Sequence, residues 1–154
     1  MRLKRTGSLL AVMAAAVLLD RLSKAWAARA LRPGAADVLP GVLRLRYAEN
    51  TGAAFSLLSG SGALLPVLTA LVLAALAFWL FARHPGGCAD LGLSLILAGG
   101  LSNLYDRVVR GFVVDFLEPV FVRFAVFNLA DTWVCAGAFL VLLGMLLRER
   151  RAGG

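Results

Sequence analysis

The stretch that decides the fold is LLPVLTALVLAALAFWLFA, residues 64–82, in which no side chain carries a charge. As an α-helix it would be about 28 Å long, which matches the roughly 30 Å hydrocarbon core of a bilayer. Long apolar stretches also occur on both sides of it, and 60% of the chain is hydrophobic. We therefore predict an all-α integral membrane protein with four transmembrane helices, at about residues 8–30, 64–82, 91–105 and 132–147.

Charged residues flank these stretches. The net charge of +7 would suggest nucleic-acid binding in a soluble protein. Here the basic clusters at residues 1–5 and 148–151 lie just outside the first and last predicted helices, beside lipid headgroups, so we expect no nucleic-acid partner. Four spans place both termini on one side, and the clusters favour the cytoplasm, although the four arginines between residues 29 and 46 would then lie outside.

The two long connections, at about residues 31–63 and 106–131, then lie on the extracytoplasmic side. Strand-like patterns bounded by turn residues occur in them at 42–47, 112–115 and 120–126. We predict that these segments form a small extracytoplasmic β-sheet. The apolar segment that ends at residues 59–62 is a candidate for a short interfacial helix.

Polar side chains gather where the predicted helices meet these two connections. Odd-numbered spans run one way through the membrane and even-numbered spans the other, so the end of spans one and three and the start of span four share one face. The residues concerned are Asp20, Lys24, Asn103, Asp106, Arg107, Asn128 and Asp131. We therefore predict a single polar site on the extracytoplasmic face.

Two aspartates in apolar surroundings are the strongest candidates for chemistry. Asp115 lies in Val113–Phe116 and Asp131 follows Phe127–Ala130. A carboxylate beside hydrocarbon is costly, and two that converge favour one ionised and one protonated group, as in aspartic hydrolases. Helix capping explains Asn128 well but Asp131 poorly because Asp131 lies a turn further in, so we predict that Asp115 and Asp131 form a catalytic pair.

The other polar residues suit supporting roles. Asp20 and Lys24 are four apart on a helix, which favours an ion pair, with direct substrate contact as the alternative. Asn103, Asp106 and Arg107 share one helical face, from which Arg107 can hold a carboxylate. Asp106 rivals Asp115 for catalysis, but its adjacent arginine should keep it ionised, which suits an anchor better.

Three alternatives to an aspartic hydrolase are a serine–lysine hydrolase, a proton-coupled transporter and a structural subunit. Ser23 and Lys24 are adjacent and point apart on a helix, and Ser56 or Ser102 would reach Lys24 only through tertiary folding. A transporter would place carboxylates near the bilayer midplane, whereas here they lie at one face. A structural subunit leaves the clustered aspartates unexplained.

Neither a disulfide nor a metal site is expected. Cys88 precedes the third span and Cys135 lies early in the fourth, on opposite membrane faces. No cluster of His, Cys and carboxylate residues has the spacing of zinc ligands. We interpret His84, which is the only histidine, as a surface residue.

Five motifs follow one another in the order of a known family. They are DRLSK (20–24), NTGAAF (50–55), GLSNLYDR (100–107), VVDF (113–116) and FNLAD (127–131). Together they resemble the bacterial lipoprotein signal peptidases, or signal peptidase II family, over nearly the whole chain. Any one motif would be weak, but five in order at compatible spacing form a specific signal.

The resemblance implies a membrane aspartic endopeptidase without metal or cofactor that removes the signal peptide of diacylglyceryl-modified prolipoproteins, cutting before the lipidated cysteine. It makes Asp115 and Asp131 the catalytic pair. It also implies that eight further residues line or support the site: Asn50, Gly52, Asn103, Arg107, Asn128, Asp20, Lys24 and Asp106. We expect a monomer in the bacterial inner membrane whose partners are lipidated signal peptides and membrane lipid.

Overall fold

Four long helices form the body of the protein. The computed structural model describes residues 2–52 and 63–152, and in that part of the chain all four helices are long and apolar enough to span a membrane. They are α1 (Arg2–Ala30), α2 (Leu64–Phe78, continued by a π-helical turn at Trp79–Arg83), α3 (Gly87–Arg110) and α4 (Leu129–Ala152). The prediction of four transmembrane helices is confirmed, and the last two extend past the polar residues at their ends.

The ends of the helices follow from local sequence. Pro66 lies in the first turn of α2, where a missing backbone N–H costs nothing. Gly111 ends α3 in the left-handed conformation with φ +80°, and its N–H donates to the carbonyl of Arg107 at 3.1 Å. This turn directs the chain from α3 toward the sheet.

Helix α3 is the central helix of the bundle. In its most apolar window 56% of the residues are buried, against 11–17% in the other three helices. Glycines bring α3 and α4 into backbone contact, since a Cβ built on Gly92 would lie 2.5 Å from the carbonyl oxygen of Gly137. The polar end of α3 is consequently held against the start of α4.

A three-stranded antiparallel sheet lies at one end of the bundle, with strand order β1–β2–β3. The strands are β1 (Ala36–Leu39), β2 (Leu43–Asn50) and β3 (Val113–Pro119). In the register between β2 and β3, Ala48 is opposite Asp115 and Asn50 is opposite Val113. The strands predicted at residues 42–47 and 112–115 are confirmed, and β3 continues four residues further.

The strand predicted at residues 120–126 is wrong. Pro119 ends β3, the chain turns, and only Phe127 returns to pair with Leu117 in an isolated bridge. The segment VFVRFAV lacks the alternation that would bury one face of a strand, and most of it is exposed. Strand β1 was not predicted because it is only four residues long and all four are exposed.

The inner part of the sheet packs on the end of α1. Ala27 of α1 and Leu31, the residue after α1, form a buried cluster with Val114 and Phe116 of β3. Trp26 also meets Phe116 edge to face, with ring centroids 6.4 Å apart. This packing fixes β3 against the bundle and so positions Asp115. The predicted interfacial helix lies outside the described residues.

Candidate active site

Asp115 lies in the middle of β3 and is almost completely buried. Both of its carboxylate oxygens accept hydrogen bonds from amide side chains: Asn50 Nδ2 donates to Oδ2 at 3.0 Å and Asn128 Nδ2 donates to Oδ1 at 2.6 Å. Asn50 ends β2 and Asn128 immediately precedes α4, so two separate segments hold this carboxylate. Asp115 is therefore not an outward-facing strand residue.

Asp131 lies in the first turn of α4 and is half-buried. Its Oδ2 accepts the backbone N–H of Asn128 at 3.2 Å, while Asn128 Oδ1 accepts the backbone N–H of Asp131 at 3.0 Å. This reciprocal pair is a capping box, so the expectation that capping explains Asp131 poorly is wrong. Capping uses only one carboxylate oxygen, however, and Oδ1 accepts a hydrogen bond from Asn103 Nδ2 at 2.8 Å.

The two aspartates meet through Asn128, whose side chain donates to Asp115 and whose backbone donates to Asp131. Burial raises the pKa of the Asp115 carboxyl above its ordinary value. The hydrogen bonds from Asn50 and Asn128 oppose that rise in pKa, and the charge of Asp131 adds to it. The predicted convergence is thus present, with a raised pKa on one member.

A buried lysine lies behind this pair. Lys24 is completely buried, and its Nζ contacts Asp20 Oδ2 at 2.8 Å, Asp106 Oδ2 at 3.0 Å and Asn103 Oδ1 at 2.7 Å. The predicted Asp20–Lys24 ion pair is confirmed, but it is part of a larger network. Through Asn103, that network reaches Asp131.

Asp20 joins three helices. Its Oδ2 also accepts the hydroxyl of Ser102 at 2.6 Å, and its Oδ1 accepts the backbone N–H of Ala130 at 2.8 Å. Sequence reasoning considered Ser102 only as a nucleophile and missed this contact. The signal was present, since Ser102 directly precedes Asn103 at the polar end of a span.

Asp106 is an anchor, but its cationic partners are not the predicted one. Its carboxylate is fully buried and pairs with Arg21 and Lys24 of α1, with Arg110 at 3.7 Å. Within the described residues Arg107 forms no ion pair, and its Nε is buried without a hydrogen-bond partner. The expectation that Arg107 keeps Asp106 ionised is therefore corrected, because α1 supplies the charges.

Gly52 holds Asn50 in the orientation that serves Asp115. Its backbone N–H donates to Asn50 Oδ1 at 3.0 Å, which leaves Asn50 Nδ2 for the carboxylate. Gly52 has a φ of +66°, and a Cβ there would lie 2.8 Å from Leu65 Cδ2. The backbone conformation thus requires glycine, and a Cβ would also displace the flexible end of Leu65.

An open cleft leads to Asp115. It lies between the end of β2 and the segment before α4, and its lining residues are Ala48, Glu49, Asn50, Thr51, Gly52, Asp115, Ala125 and Val126. Among the residues that the structure describes, no three His, Cys, Asp or Glu side chains are placed to bind a metal ion. Hydrogen-bond donors, all of them uncharged, surround the two carboxylates.

The opposite end of the bundle carries a second polar cluster that sequence reasoning missed. Arg5 of α1 pairs with Asp90 of α3 at 2.6 Å, and its Nη1 lies 2.7 Å from Nδ1 of His84. His84 was predicted to be a surface residue, but it is half-buried and held by its contact with Arg5. Cys88 lies near the start of α3 and Cys135 near the start of α4, toward opposite ends of the antiparallel pair.

Comparison with known proteins gives consistent matches. The family model for signal peptidase (SPase) II matches residues 12–147. A lipoprotein signal peptidase of Streptococcus pneumoniae (strain ATCC BAA-255 / R6) is 38% identical over 146 residues, covering 90% of this chain and 95% of that protein. One of Gloeobacter violaceus (strain ATCC 29082 / PCC 7421) is 39% identical over 138 residues, covering 88% and 80%.

Two solved structures, both described as bacterial membrane enzymes, share the fold. They superimpose with TM-scores of 0.82 and 0.83, and each is 29% identical in sequence. The alignments cover 93% and 91% of this chain, and 90% and 93% of theirs. The prediction of a four-helix membrane enzyme with a small sheet is confirmed.

Proposed function

Since the chain belongs to the signal peptidase II family, we propose that Asp115 and Asp131 are the catalytic pair of a membrane aspartic endopeptidase. The substrate is a diacylglyceryl-modified prolipoprotein, and the bond cut is the one before its lipidated cysteine. The observation that supports the assignment is the convergence of two carboxylates, from β3 and α4, around Asn128. Hydrolysis by an aspartic peptidase needs two carboxyl groups and no other reactive side chain.

The pair acts on a water molecule held between the carboxylates. The ionised carboxylate takes a proton from the water as its oxygen attacks the scissile carbonyl carbon, and the protonated one donates a hydrogen bond to the carbonyl oxygen. The tetrahedral intermediate then collapses, the carbon–nitrogen bond breaks, and a proton passes to the amine of the lipidated cysteine. The shared proton belongs to the pair rather than to one residue.

The raised pKa of Asp115 supports this division of labour. Two ordinary carboxyl groups would both be ionised at neutral pH, and neither could donate to the carbonyl oxygen. Burial and the charge of Asp131 raise the pKa of Asp115, which extends the singly protonated form of the pair toward neutral pH. The amide donors hold both carboxylates in place without adding a cation that would ionise them.

Lys24 determines which way the Asn103 amide points. An ammonium group only donates hydrogen bonds, so it takes Asn103 Oδ1 and leaves Nδ2 to donate to Asp131. Lys24 and Asn103 are thus positioning residues in this proposal, and Gly52 plays the corresponding part for Asn50 and Asp115. Asp20 and Asp106 compensate the charge of Lys24 and anchor α1 to α3.

The position of the site suits a substrate that comes from lipid. A signal peptide is an apolar helix and its diacylglyceryl group is hydrocarbon, so both can enter sideways between the helices. The cleft beside Asp115 is open and includes residues 50–52. We expect the segment 50–55 to close over bound peptide, although its residues 53–55 lie outside the described part of the chain.

The protein is a multi-pass protein of the bacterial inner membrane. We place both termini in the cytoplasm, because basic residues flank α1 and α4 there, and the site at the extracytoplasmic face. One chain supplies both aspartates, so the proposed chemistry requires no second copy, and we expect a monomer.

A proton-coupled transporter is not favoured by any observation. The buried carboxylates of the described residues lie at the two ends of the bundle, with Asp90 at the end away from Asp115. A core of leucines, including Leu93 and Leu97 of α3, separates them. A proton relay would need ionisable groups through this middle layer.

Cleavage of a purified lipidated precursor by the protein in lipid nanodiscs tests the proposal. Asp115→Asn and Asp131→Asn should each lower turnover by orders of magnitude while thermal unfolding stays near that of the wild type. Asp37→Asn, at an exposed carboxylate on β1 that pairs with Arg44, is the matched control and should cleave normally. Near-normal cleavage by Asp115→Asn, with loss of cleavage in Asp106→Asn, would show that the pair is wrongly assigned.

A further inference from the structure

The end of the sheet farthest from Asp115 exposes a group of large apolar side chains. Two come from the end of β1, one from the β1–β2 turn, and three from the segment that follows β3. We name this surface the sheet tip, and its residues are Val38, Leu39, Val42, Phe121, Val122 and Phe124.

Backbone pairing brings the two turns together. Leu43, the first residue of β2, is paired with Pro119, the last residue of β3. Beyond that pair, the N–H of Val120 donates to the carbonyl of Val42 at 3.0 Å. The apolar side chains of the sheet tip therefore form one surface rather than scattered single residues.

The exposure of this surface is unusual for a segment surrounded by water. Phe121 is 70% exposed and Phe124 is 64% exposed. Single exposed apolar residues are common, but a contiguous apolar group marks a surface that contacts something else. Nothing in the proposed cleavage chemistry uses this end of the sheet.

The membrane is the partner that the surroundings indicate. Trp26, in the last turns of α1, is 48% exposed on the lipid-facing side of the bundle and packs on Phe116 of β3. Tryptophan at the end of a span marks the boundary between hydrocarbon and headgroups. From Phe116 the strand continues three residues to Pro119, which is about 10 Å. The apolar surface of the bundle and the sheet tip are thus linked along one strand.

The charged residue within the sheet tip also suits lipid. Arg123 lies between Val122 and Phe124 and is exposed. An arginine among aromatic and aliphatic side chains can bury its stem in hydrocarbon and leave its guanidinium at the phosphate level. This composition is typical of an interfacial segment.

We propose that the sheet tip inserts into the headgroup–hydrocarbon boundary of the leaflet on the side of the site. The inserted side chains hold the sheet at a fixed height over the end of the bundle. Because Asp115 lies on β3, this contact also sets the height of Asp115 relative to lipid-borne substrate. If the sheet tip instead bound a protein or peptide, it would face water whenever that partner was absent.

Spin-label accessibility tests the insertion directly. A nitroxide is attached at Val122→Cys in a background with Cys88→Ala and Cys135→Ala, in vesicles of phosphatidylcholine and phosphatidylglycerol. Collision rates with oxygen, which concentrates in lipid, and with a water-soluble nickel chelate are compared. The lipid reference is a label at Leu71→Cys, on the exposed face of α2. The water reference is a label at Arg32→Cys, where the side chain is exposed.

The label at position 122 should show an oxygen-to-nickel collision ratio several times that at position 32. Phe121→Ser should lower that ratio without changing thermal unfolding, because the Phe121 side chain is 70% exposed. A ratio at 122 equal to that at 32 would overturn the proposal. No substrate is present, so the result is independent of whether the aspartate pair is catalytic.

Discussion

Replacing Lys24 by methionine tests how the buried charges are linked to the proposed catalytic pair, Asp115 and Asp131. The change removes the ammonium but keeps an unbranched chain of similar length. It leaves Asp20 and Asp106 without their shared cation and Asn103 Oδ1 without its short hydrogen bond. Asp106 keeps Arg21, whereas Asp20 keeps only neutral donors.

The expected cost follows from the charge count. In the described residues Lys24 is the one cation that pairs with Asp20, whereas Asp106 also pairs with Arg21 and, at 3.7 Å, with Arg110. Lys24→Met therefore leaves the charge of Asp20 uncompensated in a buried cluster. Removing one partner of a buried ion pair costs about 3–5 kcal/mol. That is a large part of the roughly 5–15 kcal/mol that stabilises a typical domain, so the melting temperature should fall by many degrees.

A second substitution separates charge balance from positioning. In Lys24→Met with Asp20→Asn the uncompensated carboxylate is gone, so most of the lost stability should return. Cleavage should not return, because Asn103 Oδ1 keeps only the longer hydrogen bond from Asn128 Nδ2, at 3.3 Å. That bond holds the amide less firmly toward Asp131. Thermal unfolding in detergent and cleavage of a lipidated precursor are measured on the wild type and on each variant.

Two results would refute this reasoning. If the double variant were no more stable than Lys24→Met, uncompensated charge would not be the cause of the loss. If either variant cleaved at the wild-type rate below its melting temperature, Lys24 would not position Asn103 for catalysis.

Three further predictions concern the site and the bundle. Asn50→Ala removes a hydrogen bond that lowers the pKa of Asp115, so the upper limb of the pH–activity profile should move to higher pH. An unchanged or downward-shifted limb would contradict this expectation. Gly52→Ala places a Cβ at φ +66° and 2.8 Å from Leu65. The resulting strain of about 1–3 kcal/mol should reduce kcat more than thermal stability. Unchanged cleavage would show that the turn adapts freely. Gly137→Leu should prevent α3 and α4 from packing, because a Cβ there would already lie 2.5 Å from a carbonyl oxygen of α3. A melting temperature equal to that of the wild type would refute the close contact.

The sequence predicts the transmembrane helices and the location of the site for simple physical reasons. A bilayer imposes one length and one composition on every span, so apolar stretches such as residues 64–82 identify helices directly. Counting spans then brings Asp20, Asn103 and Asp131 to one end of the bundle, where the structure places them. Neither step needs knowledge of side-chain contacts.

The partners of the charged residues could not be predicted in the same way. Asp106 has Arg107 beside it in sequence, yet its cations come from α1, 82 and 85 positions earlier. Adjacent helical residues point in different directions, so proximity along the chain was a poor guide. Arg21 would have been a better candidate, because it lies in the same motif as Lys24 and three positions before it.

The prediction of strands failed at two places for a related reason. Strand β1 has no buried face, so its sequence carries no alternation to detect, and it exists because it pairs with β2. The segment 120–126 is apolar without being a strand, because Pro119 ends the pairing before it begins. Its large apolar side chains do not pack in the protein core; they belong to the exposed sheet tip.

The proposed chemistry explains why amides rather than cations contact Asp115 and Asp131. A lysine or arginine bonded directly to Asp115 or Asp131 would favour the charged form of both carboxylates and remove the proton they must share. In the structure the cations bond to Asp20 and Asp106 instead, and Lys24 reaches the pair only through the neutral amide of Asn103. Amides fix the geometry of a carboxylate by hydrogen bonding while adding no net charge. The buried salt bridges therefore anchor the helices, and the asparagines connect that anchor to the aspartates without ionising both of them.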